Sequence, residues 1–280
     1  MKLYCNAKIN LTLAVKGKRA DGYHLLDSVM QSVDIKDTLY INKAEKIKVC
    51  CSNPLFDGKE NIAFKAAECF FKAANIKGGA EIIIEKGIPD AAGLGGGSAD
   101  AAGVIVALNR LYETNFSNKK LCEIALLVGA DVPFCIEGGT KRAGGIGEIL
   151  EDCPPFCDCF IVVSKNGNKL STKDMYNKLD ALKKLPYDDT QKFINALESG
   201  DFKACVKYIG NSFSCVTGLY GIDTLLKPTN PLAVSLSGSG PSVFAVYENK
   251  ADADTALNLL IKNNITAFKC RPTKNSIVFE

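Results

Sequence analysis

The stretch "GIPDAAGLGGGSADAAG", residues 87–103, decides how the rest of the chain is read. It follows "AEIIIEK" (80–86), a short apolar run of strand character. It leads into a helical pattern from about Ser98 to Leu111. Gly93, Gly95, Gly96 and Gly97 crowd the turn between the two. A plain strand-to-helix turn needs one or two glycines, whereas this run lets several backbone N–H groups converge on an anion. The helix that follows adds the positive end of its dipole. The spacing suits phosphate. It is not a Walker loop, because no Gly-Lys-Ser/Thr ends it, and the dinucleotide fingerprint fails at Ser98. The HRD and DFG signatures of protein kinases are absent.

Upstream, positions 3 to 15 alternate. Leu3, Cys5, Ala7, Ile9, Leu11, Leu13 and Val15 are apolar, and Lys8, Asn10 and Thr12 fall between them. Period two predicts a half-buried strand with Lys8 and Asn10 on one face, ~7 Å apart. From the strand alone, Lys8 reads as a solvated lysine on an open sheet face. "RADGY" predicts a turn at Asp21-Gly22, with further strand segments at 25–33, 38–42 and 46–51. Residues 61–74 predict a helix capped by Asn61, and another helix follows Ser117 and stops at Gly129.

Downstream of "CPPFCDC" the composition shifts, and a domain boundary is expected near 152–158, dividing the chain into 1–154 and 155–280. "FIVVS" (160–164) reads as a strand, and Ser171 opens a capping box for a helix to about Lys183. Charged helical segments fill 189–227. "LAVSLSGSGPSVFAVYE" reads as two strands around a glycine turn, followed by a helix at 251–263 and a closing strand pair.

At 280 residues the chain suits about two domains. Its 34 basic and 31 acidic residues leave a net charge of +3, too modest for a nucleic-acid-binding surface. Twelve cysteines fall short of the ~8–10% that marks a disulfide scaffold. Lys8 and Asn10 interrupt the only leader-like stretch, and no apolar run nears the ~18 residues of a membrane span. A cytoplasmic protein with reduced thiols, acting without membrane or nucleic acid, is the expectation. Cys153, Cys157 and Cys159 cluster, but His24 is the only histidine, so neither a structural zinc site nor a Ser-His-Asp hydrolase is expected.

"PDAAGLGGGSADA" (89–101) resembles the ATP loop of the galactokinase–homoserine kinase–mevalonate kinase–phosphomevalonate kinase (GHMP) superfamily. Three further stretches, "AKINLTLAVKGKRADGYH" (7–24), "GADVPF" (129–134) and "SGSGPSVFAVY" (237–247), are similar to one branch of it. That branch phosphorylates a diphosphocytidyl derivative of methylerythritol on the non-mevalonate route to isoprenoids. The likeness runs from Leu3 to at least Tyr247, and DGYH is its specific part. Asn6 stands where the family commonly has proline.

The resemblance implies an α+β fold of two domains with the active site in the cleft between them. The first would be ribosomal-protein-S5-like and the second a ferredoxin-like sandwich. It implies catalytic roles for Lys8 and Asp131, with Asp131 accepting the proton of a substrate hydroxyl and Lys8 offsetting phosphoryl charge. Asn10, Asp21, Tyr23, His24, Thr172 and Tyr176 match the substrate site. Asn61, Lys86, Pro89, Gly93, Leu94, Gly95, Gly96, Gly97, Ser98 and Ala99 match the ATP side. Gly238, Ser239 and Gly240 would form a supporting glycine turn. ATP is the expected co-substrate and Mg²⁺ its companion, with no metal ligand nameable from the sequence. The expected partner is a small molecule carrying cytidine diphosphate, and the protein is expected to be a monomer or weak homodimer. A homoserine- or mevalonate-type kinase and a non-catalytic sensor on the same fold are the alternatives.

Overall fold

The computed structural model describes residues 1–156, 158–167, 171–182 and 187–280. The alternating N-terminal stretch forms one strand, β1 (Lys2–Lys18), which turns at Asp21-Gly22 and returns as β2 (His24–Ala44). The segments expected at 25–33 and 38–42 are thus continuous. Between them the β1–β2 ladder skips Asp34 and Ile35, a bulge rather than a break. The bulge persists because Asp34 is satisfied from elsewhere. Its N–H donates to the Arg271 carbonyl at 3.1 Å, and its carboxylate accepts the Arg271 N–H at 2.7 Å.

The chain continues through β3 (Lys48–Cys51), α1 (Ile62–Ala74), β4 (Gly79–Glu85), α2 (Gly96–Leu111), α3 (Asn118–Leu126), α4 (Val132–Glu137), β5 (Thr140–Gly144) and β6 (Ile149–Asp152). Asn61 caps α1 as expected, its Oδ1 accepting the Ala63 N–H at 2.8 Å. Ser117 caps α3. The helices cover one face of a sheet ordered β12-β1-β2-β4-β3, with β5 and β6 extending from β2. Gly103 lets α2 lie close to β1. A Cβ there would stand 2.3 Å from Cys5 Sγ.

The remaining elements are β7 (Phe160–Lys165), α5 (Thr172–Asp180), α6 (Thr190–Glu198), α7 (Phe202–Lys207), β8 (Gly210–Asn211), α8 (Ser214–Thr217), α9 (Ile222–Leu226), β9 (Ala233–Leu236), β10 (Ser242–Tyr247), α10 (Lys250–Lys262), β11 (Thr266–Cys270) and β12 (Ile277–Phe279). Lys183, the expected end of α5, and Cys157 lie outside the described residues. A second, antiparallel sheet runs β11-β7-β10-β9. Numbered along the chain that order is 4-1-3-2, the ferredoxin-like arrangement. The two-sheet α+β architecture is therefore present in full.

The expected closing strand pair does not pair. β11 joins the second sheet, while β12 crosses back to lie antiparallel to β1, Leu3 opposite Phe279. β8 likewise pairs with β1, Thr12 opposite Gly210. β1 also serves two cores. Leu3 to Leu11 pack into the core of the first sheet, and Leu13 and Val15 into that of the second. Among the described residues no helix is long and apolar enough to cross a membrane.

Candidate active site

Lys8 is not solvated. It is 4% exposed and Asn10 is 1% exposed, so β1 is buried on both faces here. The face that the alternation left open is covered by the glycine loop. Leu94 accepts the Lys8 N–H at 2.9 Å, which pins the loop onto the strand. Gly93 and Gly95 have φ of +77° and +72°, a region open to glycine and costly for other residues. Gly95 is the N-cap of α2, so the helix starts at Gly96, ahead of the expected Ser98. A Cβ on Gly95 would stand 2.9 Å from Lys8 Cγ. Glycine at this position is what lets the lysine pass beneath the loop.

A second turn backs the first. Ser237 Oγ donates to the Gly93 carbonyl at 3.0 Å, and the Ser242 N–H donates to the Ala92 carbonyl at 3.2 Å. Asn211 Nδ2 donates to the carbonyls of Leu236 and Gly238 at 2.8 and 2.9 Å. A Cβ on Gly93 would meet the Ser237 carbonyl at 2.4 Å, backbone against backbone. Gly93→Ala should therefore cost at least the ~1–3 kcal/mol of a strained positive-φ residue, with the clash added. A thermal melt checks this, and an unchanged midpoint would mean that the two turns can part freely.

Asp131 sits at the N-cap position of α4 but makes no capping hydrogen bond. Its Oδ2 lies 3.4 Å from Lys8 Nζ instead. Lys8 Nζ also donates to Asn10 Oδ1 at 2.8 Å. The Asn10 amide is oriented in turn, because its Nδ2 donates to Ser28 Oγ at 2.9 Å and Ser28 Oγ donates to the Thr12 carbonyl at 2.5 Å. Ser28 thus has only lone pairs to offer Asn10, which leaves the amide oxygen for the ammonium.

These groups open into a cleft of about 590 Å³. Its wall includes Lys8, Asn10, Asn61, Lys86, Pro89, the loop from Gly93 to Ser98, Asp131, Tyr176, Gly238 and Ser239. Those residues, separately singled out from the sequence, meet in one cavity. Ala99 is buried in α2 just behind the loop. Gly240 lies outside the wall, at φ +76° in the supporting turn. Burial, and then the charge of Asp131, pushes the Tyr176 hydroxyl up to about 12, so it remains a donor. Cys51 and Cys135 lie at or beside the cleft, but burial raises both thiols and makes them poor nucleophiles.

The DGYH residues lie beside the cleft rather than in its wall. The Asp21 carboxylate pairs with Arg19 at 2.8 Å and accepts the Tyr23 N–H at 3.2 Å. Tyr23 is 60% exposed. His24 is buried behind Tyr176, ring on ring at 4.2 Å and 12°. Thr172 opens α5, but its side chain lies outside the described residues.

Sequence reasoning missed a buried triad. Lys86 Nζ binds Asp37 Oδ2 at 2.5 Å and Asp100 Oδ2 at 2.8 Å, and Asp37 Oδ1 accepts the N–H groups of Gly87 and Ile88 at 2.7 and 2.8 Å. The backbone entering the loop is thereby fixed. Asp100 lay within the quoted stretch, so a charge among the alanines of α2 was the available signal. Asp37, on a strand among ordinary charges, gave none. Ser28 and Asp180, also missed, carry no local signature.

A cation and a carboxylate facing a glycine loop and the N-terminus of a 16-residue helix have the chemistry that phosphoryl transfer requires. The family model "GHMP kinases N terminal domain" matches residues 61–139, and "GHMP kinases C terminal" matches 222–265. The 4-diphosphocytidyl-2-C-methyl-D-erythritol kinase of Clostridium tetani is 39% identical over 263 residues, 91% of this chain and 93% of that protein. Its counterpart from Clostridium botulinum (strain Loch Maree / Type A3) is 42% identical over 255 residues, 89% and 91%. A crystal structure of 4-(cytidine 5'-diphospho)-2C-methyl-D-erythritol kinase superposes with a TM-score of 0.80 at 30% identity, over 97% of this chain and 99% of that one. The homoserine kinase of Cytophaga hutchinsonii reaches 0.78 at 18% identity, over 99% of this chain and 96% of that one, a likeness of fold alone. With relatives this similar along nearly their whole length, the chain belongs to the 4-diphosphocytidyl-2-C-methyl-D-erythritol kinase family of the GHMP kinases.

Proposed function

We propose that this enzyme transfers the γ-phosphoryl group of ATP to the C2 hydroxyl of 4-diphosphocytidyl-2-C-methyl-D-erythritol, giving the 2-phosphate and ADP. The observation that carries the reading is the Lys8–Asp131 pair, 3.4 Å apart beneath the glycine loop. Asp131 accepts the C2 hydroxyl proton as that oxygen bonds to the γ-phosphorus and the bond to the β-phosphate oxygen breaks. In a loose transition state the proton leaves late, so a carboxylate beside an ammonium is basic enough. Lys8 offsets charge on the transferring group, and Asn10, held by Ser28, keeps Lys8 in place. The backbone N–H groups from Gly93 to Ser98 cradle the phosphates, with Ala99 extending the first turn of α2. Gly238 to Gly240 hold that cradle from behind. Asn61, Lys86 and Pro89 complete the ATP side, Lys86 as a strut rather than a direct ligand.

Mg²⁺ needs only one or two carboxylates besides substrate phosphates and water. The Asp100 Oδ1 fits such a role, being buried at the cleft wall with no hydrogen-bond partner among the described residues. Asp100 would hold the ion, which supplies charge neutralisation to the phosphates. On the other side Tyr23, His24 and Tyr176 form the base site, with Asp21 shaping the turn that carries Tyr23, and Thr172 belongs to the segment that closes over substrate. The test is ADP release measured with the diphosphocytidyl substrate, homoserine and mevalonate side by side. Turnover should be confined to the first, and comparable turnover of either other alcohol would overturn the assignment.

A further inference from the structure

Tyr176 and Asp180 stand four residues apart on α5 and so share one face of the helix. Both grip the same ring. Tyr176 stacks on the face of His24, and Asp180 Oδ1 lies 2.6 Å from His24 Nε2 at its edge. The other carboxylate oxygen, Oδ2, accepts from Lys18 Nζ at 2.8 Å, and Lys18 is the cross-strand neighbour of His24. Lys18 and then His24 hold the Asp180 carboxyl below the usual carboxylate range, so near neutrality it is ionised and can only accept. Nε2 must therefore carry a proton. Among the described residues Nδ1 has no hydrogen-bond partner.

We infer that Asp180 is a positioning residue for base recognition. Whenever the His24 ring is neutral, Asp180 locks it as the Nε2–H tautomer and leaves the Nδ1 lone pair as an acceptor for the exocyclic amine of cytosine. This rests on the proposed reading of His24 as part of the base site. Uracil presents a carbonyl oxygen in place of that amine, so an accepting Nδ1 also disfavours the uridine analogue. Because Tyr176 now covers the His24 face and itself forms cleft wall, the base must enter beside or in place of the Tyr176 ring.

Asp180→Asn gives the sharpest test. Asn has one oxygen, and the Lys18 ammonium, which can only donate, claims it. The amide NH₂ then faces His24 Nε2 and makes that nitrogen the acceptor, which inverts the tautomer. His24 is the only histidine in the chain, so ¹⁵N-histidine NMR reads one imidazole without overlap. With the imidazole neutral, the wild-type enzyme should show the proton on Nε2 and the variant on Nδ1. The variant KM for the diphosphocytidyl substrate should rise about tenfold or more while the KM for ATP moves less than about twofold, a split that loss of folding would not produce. Preference for cytidine over uridine substrate should fall by a similar factor.

Asp180→Ala should give a mixture of tautomers and an intermediate KM. A wild-type proton on Nδ1, or an Asp180→Asn variant that keeps it on Nε2, overturns the inference. So does an inverted tautomer with unchanged KM when His24→Ala raises KM. If neither His24→Ala nor Asp180→Asn moves KM, His24 does not read the base. The inference and that part of the site then fall together, while the kinase reaction, scored by ADP release, stands.

Discussion

Asp131→Asn should lower kcat about a hundred- to ten-thousandfold, the range expected when a positioned general base is removed. The substitution keeps the shape of the side chain, and Asp131 makes no capping hydrogen bond to lose, so α4 should keep its start. What disappears is the proposed proton acceptor and the charge that faces Lys8. ATP affinity, read by calorimetry, should change less than about threefold, because the proposed phosphate cradle is the loop and α2 rather than Asp131. Lys8→Met should also depress kcat strongly. The double variant should be little worse than either alone, since residues that act as a unit are not additive. Near-normal turnover of Asp131→Asn would remove Asp131 from the chemistry.

The parts of this site that the sequence made legible are those whose backbone does something unusual. Four glycines between a strand and a helix have few uses, and the loop lies where that crowding placed it. Lys8 is the opposite case. Period two showed correctly that Lys8 and Asn10 share a face of β1, but it cannot tell an open face from one covered by a loop 85 residues further on. Covering that face depends on contact with Leu94, while the strands at Gly210 and Phe279 fill the free edge of β1, all distant in sequence. The Asp34–Ile35 bulge shows the same limit, since the charged run Asp34-Ile35-Lys36-Asp37 ends a strand locally while Arg271 lets it continue. Asp37, Asp100 and Asp180 stayed hidden for a related reason. An aspartate earns attention from its neighbours in space, and those here are Lys86 and His24.

The second large effect concerns that hidden triad. Lys86→Met would leave Asp37, fully buried, and Asp100, 3% exposed, facing each other without a cation. Burial alone works against the Lys86 charge, and the two aspartates more than offset this, so the lysine stays charged. Removing one partner of a buried ionic group costs ~3–5 kcal/mol. For a chain of this size that corresponds to a drop in melting temperature of roughly 6–20 °C. The pH dependence gives the effect a signature. Burial, and then the charge of Asp37, raises the Asp100 carboxyl above its ordinary value of 3.8. The native state therefore binds more protons than the unfolded chain. This contribution is fully present below that value and is lost as pH climbs through the folded one. Without Lys86 the Asp100 value rises further. Denaturant midpoints compared at about pH 5 and about pH 8 should then fall more steeply with pH in Lys86→Met than in the wild-type protein, and less steeply in Asp100→Asn. A Lys86→Met protein as stable as wild type at the higher pH would show that the triad does not brace the loop. A large, pH-independent loss would instead assign the role of Lys86 to packing by its methylene stem.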